Sequence, residues 1–200
     1  WMNENGFGGF FMHARGGLKT EYLSEEWMHA IKECAEHAAD IGMNAWAYDE
    51  NGWPSGFAGG KLLEDPNNRD CYILHNIGAF DADATASYDI SGDKLVRVNE
   101  GENGKDYLNI YINIAVSTAD ILNAEVVKKF IDLTHKAYKE QFGENFSKQI
   151  KGFFTDEPQY QRWNTPFTNV MFDYFEREYG IDLLDELGLE LSSRESRIIS

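Results

Sequence analysis

Apolar positions along this chain fall into two patterns. Short, nearly continuous apolar runs end in polar residues: "GFGGFFMHA" (6–14), "MNAWAYDENG" (43–52) and "IKGFFTDEP" (150–158). Runs of this length predict buried strands. Between them, apolar residues recur at helical spacing. From about Leu23 to Ile41 the stripe is Leu23, Trp27, Ile31, Ala35 and Ala38, with Gly42 placed to end the helix. A second helix is expected over 123–143, capped by Asn123 and closed by Gly143. A third is expected near 166–179, with Phe167, Val170, Met171, Tyr174 and Phe175 on one side, and "GIDLLDELGLELSS" reads as a further short one. "WPSGFAGGKLLEDPNNRD" (53–70) is a long loop punctuated by Gly and Pro. From 71 to 117 the texture is strand-like, with turn signals at "SGD" and "EGENGK", which predicts a small antiparallel insert.

Strand, helix, strand, insert, helix, strand, helix is the order of parallel βαβ units. "GFGGFF" does not fit the G-x-G-x-x-G of a dinucleotide-binding turn. Polar residues follow each strand, which favours a (β/α)8 barrel over a doubly wound sheet. A whole barrel takes roughly 250 residues, so three βα units amount to a segment. The expectation is an α/β fold: residues 1–200 as part of one TIM-barrel catalytic domain, with a β-rich insertion at about 71–120.

Composition narrows the partners. The chain has 200 residues, a formal charge of −16 and 42% apolar residues, enough to build a core. The acidity argues against a nucleic-acid backbone as ligand, and the apolar runs are too short to span a bilayer. Two cysteines make no disulfide framework and no metal-binding CxxC, so both are expected as unpaired thiols. The chain opens on "WMNENGFGG", with no initiator Met and no signal-peptide pattern. It is read as a piece of something larger, and its compartment is left open.

The residues after the three strands carry the candidate chemistry: His13 and Arg15; Asp49, Glu50 and Trp53; Asp156, Glu157 and Gln159. Glycoside hydrolysis needs this equipment. One carboxylic acid protonates the leaving oxygen and a second carboxylate activates water or attacks the sugar. Other polar groups hold hydroxyls, and tryptophan stacks on the sugar's apolar face; Trp53 and Trp163 lie in loops suited to that. Each residue also has a plain structural reading. Asp156-Glu157-Pro158 reads equally as a solvated strand end, Asp49-Glu50 as turn residues before Asn51-Gly52, and His13 as a hydrogen-bonded core histidine. His135 falls on a helix pattern and is expected at the surface. No HxH or HxxxH pair stands at a strand end, which weighs against a metal-dependent hydrolase.

Together "GFGGFFMHARGGLKTEYLSEEW", "YDENGWPSGFAGG" and "KGFFTDEPQY" resemble the α-L-rhamnosidase-like glycoside hydrolases, glycoside hydrolase family 106 and its uncharacterised relatives, from Gly6 to about Leu187. The resemblance implies a carbohydrate substrate and Glu157 as general acid after the fourth barrel strand. With that acid in place, His13, Arg15, Asp49, Glu50 and Asp156 are expected to bind substrate, with Trp53 lining the site. The related group commonly has Asn where this chain has Asp156. The resemblance further implies bound calcium, whose preference for oxygen suits the surplus carboxylates, although no EF-hand-like spacing identifies ligands. It places the remaining barrel strands, the second catalytic carboxylate and accessory β-domains outside the chain, which by itself is then expected to be inactive. The rival expectation is a non-catalytic carbohydrate-binding barrel, or a glycosidase of different sugar specificity.

Overall fold

In chain order the elements are β1 (Gly9–Ala14), α1 (Glu25–Asp40), β2 (Asn44–Asn51), β3 (Arg69–Gly78), β4 (Ala86–Asp89), β5 (Val96–Val98), β6 (Tyr107–Ala119), α2 (Ala124–Leu133), α3 (His135–Phe142), α4 (Phe146–Gln149), β7 (Ile150–Phe154), β8 (Thr165–Phe167), α5 (Val170–Tyr179) and α6 (Leu183–Ile199). The computed structural model describes residues 1–160 and 164–199. It divides into two units: Trp1–Arg69 with Val116–Tyr160, and Asp70–Ala115 with the chain beyond Tyr160.

The first unit is built on a parallel sheet in the order β1-β2-β7. Side chains alternate across a strand, and one face is covered. Met12 and Ala14 of β1, Ala45 and Ala47 of β2 and Ile150 of β7 pack with Trp27, Met28, Ile31, Ala35 and Ala38 of α1 and with Tyr138 and Phe142 of α3. The other face is open at Phe11, Trp46 and Phe154, which are 52%, 37% and 45% exposed. The strands expected to be buried on both sides are buried on one along most of their length; at the end of β2, from Ala47 to Glu50, both sides are buried. Gly152 belongs to this open face because a Cβ there would run into the Trp46 ring.

Helix α1 begins later than its apolar stripe. Ser24 accepts a hydrogen bond from the Trp27 amide and is the N-cap, with Glu25 and Glu26 in the first turn. Leu23 lies outside the helix at φ 63°. The helix expected over 123–143 is two. Thr134 (φ −105°, ψ −83°) separates α2 from α3 and turns its hydroxyl back onto the Phe130 carbonyl at 2.7 Å, a bond that bends helices. The break sets His135 at the start of α3. Tyr22 is 3% exposed and its hydroxyl has no hydrogen-bond partner among the described residues. Leaving a buried hydroxyl unpaired costs about 1–3 kcal/mol, so Tyr22→Phe is expected to hold or raise stability in urea unfolding rather than lower it.

The second unit is an antiparallel sheet in the order β5-β4-β6-β3-β8. Its core is Cys71, Ile73, Tyr88, Leu108, Ile110 and Phe167, with Leu183 and Leu184 of α6 and, from α5, Met171, Phe172 and Phe175 packed against them. The two cysteines form no disulfide; Cys34 is exposed and Cys71 buried.

These sheets overturn the barrel expectation. A three-stranded parallel sheet in one unit and a five-stranded antiparallel sheet in the other are not the (β/α)8 pattern. Local βα alternation sets parallel pairing but carries no information on closure. The step after β7 does not continue the alternation either: β8 pairs antiparallel with β3, and α5 and α6 bury their apolar sides on the antiparallel sheet. The region expected as a small insert at 71–120 is thus part of a larger unit that takes in β8, α5 and α6.

Candidate functional site

Three consecutive residues at the end of β2 organise the site: Tyr48, Asp49 and Glu50 are all fully buried. Each holds a different part of the chain that follows. The Tyr48 hydroxyl sits 2.8 Å from the Gly52 carbonyl and 2.9 Å from Asp156 Oδ2. Arg15 reaches the same two acceptors, donating to the Gly52 carbonyl at 3.3 Å and to Asp156 Oδ2 at 3.2 Å, with its guanidinium 5.7 Å from the Tyr48 ring centre. The His13 ring lies 3.7 Å from the Tyr48 ring, centre to centre. His13, Arg15, Tyr48 and Asp156 thus form one cluster at the C-terminal end of the parallel sheet.

Electrostatics fix the roles within that cluster. Burial, and then the hydrogen bond to Asp156, push the Tyr48 phenol well above its ordinary value, so it acts as a donor and not as a nucleophile. Desolvation and then the Arg15 charge hold His13 below its ordinary value, against the pull of Asp156. His13 is therefore neutral near pH 7 and presents a polar ring rather than a charge.

Asp49 points to the other side of the sheet, as alternation requires. Its Oδ1 accepts from the Ser55 hydroxyl at 2.7 Å, and its Oδ2 accepts from the Thr155 hydroxyl at 2.6 Å. His135 Nε2 lies 3.7 Å from Oδ2, and burial lowers the His135 pKa more than Asp49 raises it. A cavity of about 250 Å³ opens beside His135, between Val126, Phe130, Ile131, Thr155 and Pro158.

Glu50 serves the loop. Its carboxylate accepts backbone N–H groups from Asn51 at 2.8 Å, Gly56 at 3.2 Å, Phe57 at 2.9 Å, Ala58 at 2.7 Å and Gly59. Left-handed backbone at Ala58 (φ 53°) and Gly59 (φ 65°) turns these amides inward, making an anion-binding nest. Asp49 and Glu50 were both expected to bind substrate. Their oxygens are instead buried and committed to their own chain.

Glu157 is different. It is exposed, it stands three residues past β7, and its backbone is left-handed at φ 43°. That conformation is uncommon for a residue with a side chain, and the following proline disfavours it further. Among the described residues its carboxylate makes no hydrogen bond or ion pair. Asp156, beside it, is gripped by Arg15 and Tyr48. Trp53, 43% exposed, rides on the loop whose Gly52 carbonyl those same two side chains hold. Gln159 is partly buried beyond Pro158, and Trp163 lies outside the described residues.

Sequence reasoning missed Tyr48, Ser55, Thr155 and His135. Alternation already put Tyr48 opposite Asp49, and "SGFAGG" after Glu50 was a signal for a nest of backbone amides. Ser55 and Thr155 left no signal. Among the described residues no group of three His, Cys, Asp or Glu is placed to hold a metal. The resemblance implies calcium, and no such group marks where it would bind among the described residues. Among the described residues no helix is long and apolar enough to cross a membrane. No family model, curated protein or solved structure matches the chain.

Proposed function

We propose that this chain carries the general-acid part of a glycoside hydrolase site, acting on glycans of the α-L-rhamnoside type, with Glu157 as the acid. The observation that supports this reading is the Glu157 carboxylate itself: exposed, unpartnered among the described residues, and held in an unfavourable backbone conformation at the C-terminal end of a parallel sheet. Strained backbone of this kind collects at functional sites. Glu157 gives its proton to the glycosidic oxygen as the C–O bond breaks, and water completes the anomeric carbon. Asp156, oriented by Arg15 and Tyr48, accepts a hydrogen bond from a sugar hydroxyl. His13 and Arg15 offer further polar contacts, and Trp53 offers a flat apolar surface to the ring. Asp49 and Glu50 are not the second carboxylate that hydrolysis requires, because neither reaches solvent.

The test is a screen of the complete protein against aryl glycosides, with and without a calcium chelator. Release of the aryl group from α-L-rhamnosides or related sugars is the expected result. Saturable sugar binding with no release from any substrate would instead favour a carbohydrate-binding protein without catalysis.

A further inference from the structure

We infer that Asp49 is a positioning residue: acting through Ser55 and Thr155, it sets where the Asp156–Glu157 turn stands. This rests on the reading of Glu157 as the acid. The parallel ladder between β2 and β7 ends at the pair Tyr48 and Phe154. Beyond it, the sheet no longer holds the chain that leads to Glu157. Ser55 takes over. Its amide donates to the Asp156 carbonyl at 2.8 Å, and its hydroxyl oxygen accepts the Asp156 amide at 2.9 Å. A serine hydroxyl has one proton and can rotate. Asp49 Oδ1 accepts the hydrogen bond that this proton makes, at 2.7 Å, which leaves the oxygen's lone pairs for the Asp156 amide. Asp49 Oδ2 accepts a hydrogen bond from the Thr155 hydroxyl at 2.6 Å and pins the residue just before the turn.

The arrangement is built to last. Asp49 is fully buried and Ser55 is 2% exposed, so water does not compete for the bond between them; the bonds on to Thr155 and Asp156 are partly buried. On the opposite side, Arg15 and Tyr48 hold the Asp156 side chain. Asp156 is therefore fixed through its backbone by one set of residues and through its carboxylate by another. Glu157, the next residue, inherits its place from both. A carboxylate that reaches no solvent thus serves the site by aiming its neighbours.

Amide hydrogen exchange at Asp156 tests this without reference to catalysis. Ser55→Ala and Asp49→Ala are expected to speed exchange there on the order of tenfold or more, the effect of one lost buried hydrogen bond. Asp49→Asn keeps an oxygen for Ser55 and offers an N–H to the Thr155 hydroxyl, so it is expected to retain most of the protection. Turnover of glycosides with poor leaving groups should fall in the same order, with Asp49→Asn the mildest. If Asp49→Ala does not fold, Ser55→Ala carries the test. Unchanged Asp156 exchange in folded Ser55→Ala overturns the inference. So does full turnover in Ser55→Ala when Glu157→Gln is impaired. If Glu157→Gln is itself unimpaired, the hydrolase reading fails, and the exchange data still decide whether Asp49 positions the turn.

Discussion

Replacing Glu50 with alanine is expected to destabilise the first unit by at least about 3 kcal/mol, read from urea unfolding at constant m-value. The carboxylate is fully buried and accepts five backbone amides, from Asn51, Gly56, Phe57, Ala58 and Gly59. Alanine leaves those N–H groups without their acceptor, and each donor that stays buried and unpaired, Gly56 and Ala58 foremost, costs about 1–3 kcal/mol less whatever water recovers. Glu50→Gln keeps one oxygen but turns an NH2 group toward amide donors, so it is expected to be intermediate. The exposed pair of Lys61 and Glu21, 2.7 Å apart, makes a useful control. Surface ion pairs contribute little, and Glu21→Gln should be close to silent. A loss under about 1 kcal/mol for Glu50→Ala would contradict the nest.

The second large effect concerns Glu157 and runs in opposite directions for stability and chemistry. Left-handed backbone at a residue with a side chain costs about 1–3 kcal/mol, and glycine adopts it freely. Glu157→Gly should therefore stabilise the protein by about 1 kcal/mol once glycine's greater unfolded-state freedom is allowed for. The same substitution removes the general acid. Glu157→Gln keeps the size of the side chain and loses only the proton, so it isolates the chemistry. Turnover of substrates with poor leaving groups should drop by a factor on the order of 10² or more. A stabilised, inactive glycine variant would mean that the strain at φ 43° is retained for function.

The sequence disclosed the elements better than their assembly. Periodicity found α1, and the Ser24 cap with Glu25 and Glu26 could have placed its start. Asn123 and Gly143 marked the ends of a helical stretch correctly, yet the break at Thr134 was hidden, because a threonine folding back on its helix looks like any other threonine. Missing that break put His135 at the surface instead of beside Asp49. The barrel expectation failed for a similar reason. Residues near one another in sequence specify a parallel pair, but the partners of β8, α5 and α6 depend on which apolar surface is left uncovered elsewhere.

At the site, the sequence places the charged residues at the strand ends but does not disclose their environment. Arg15, Asp156 and Glu157 stand at the strand ends, as their places in the chain required. Asp49 and Glu50 look like turn residues in "YDENG", and a pair of charges before Asn-Gly ordinarily faces water. What buries them is a loop that folds back from Ser55 to Gly59 to supply hydroxyl and amide donors. The open aromatic face, with Phe11, Trp46 and Phe154, could not be told from a buried one, since an apolar run reads the same either way.

The most direct measurement is the leaving-group dependence of kcat for the complete protein and its Glu157→Gln variant, across aryl glycosides of graded phenol acidity. The account predicts a loss on the order of 10² or more for poorly acidic phenols, shrinking toward none for strongly acidic ones that depart without a proton. Equal rates for variant and parent across the whole series would contradict Glu157 as the acid, and with it the function proposed for this site.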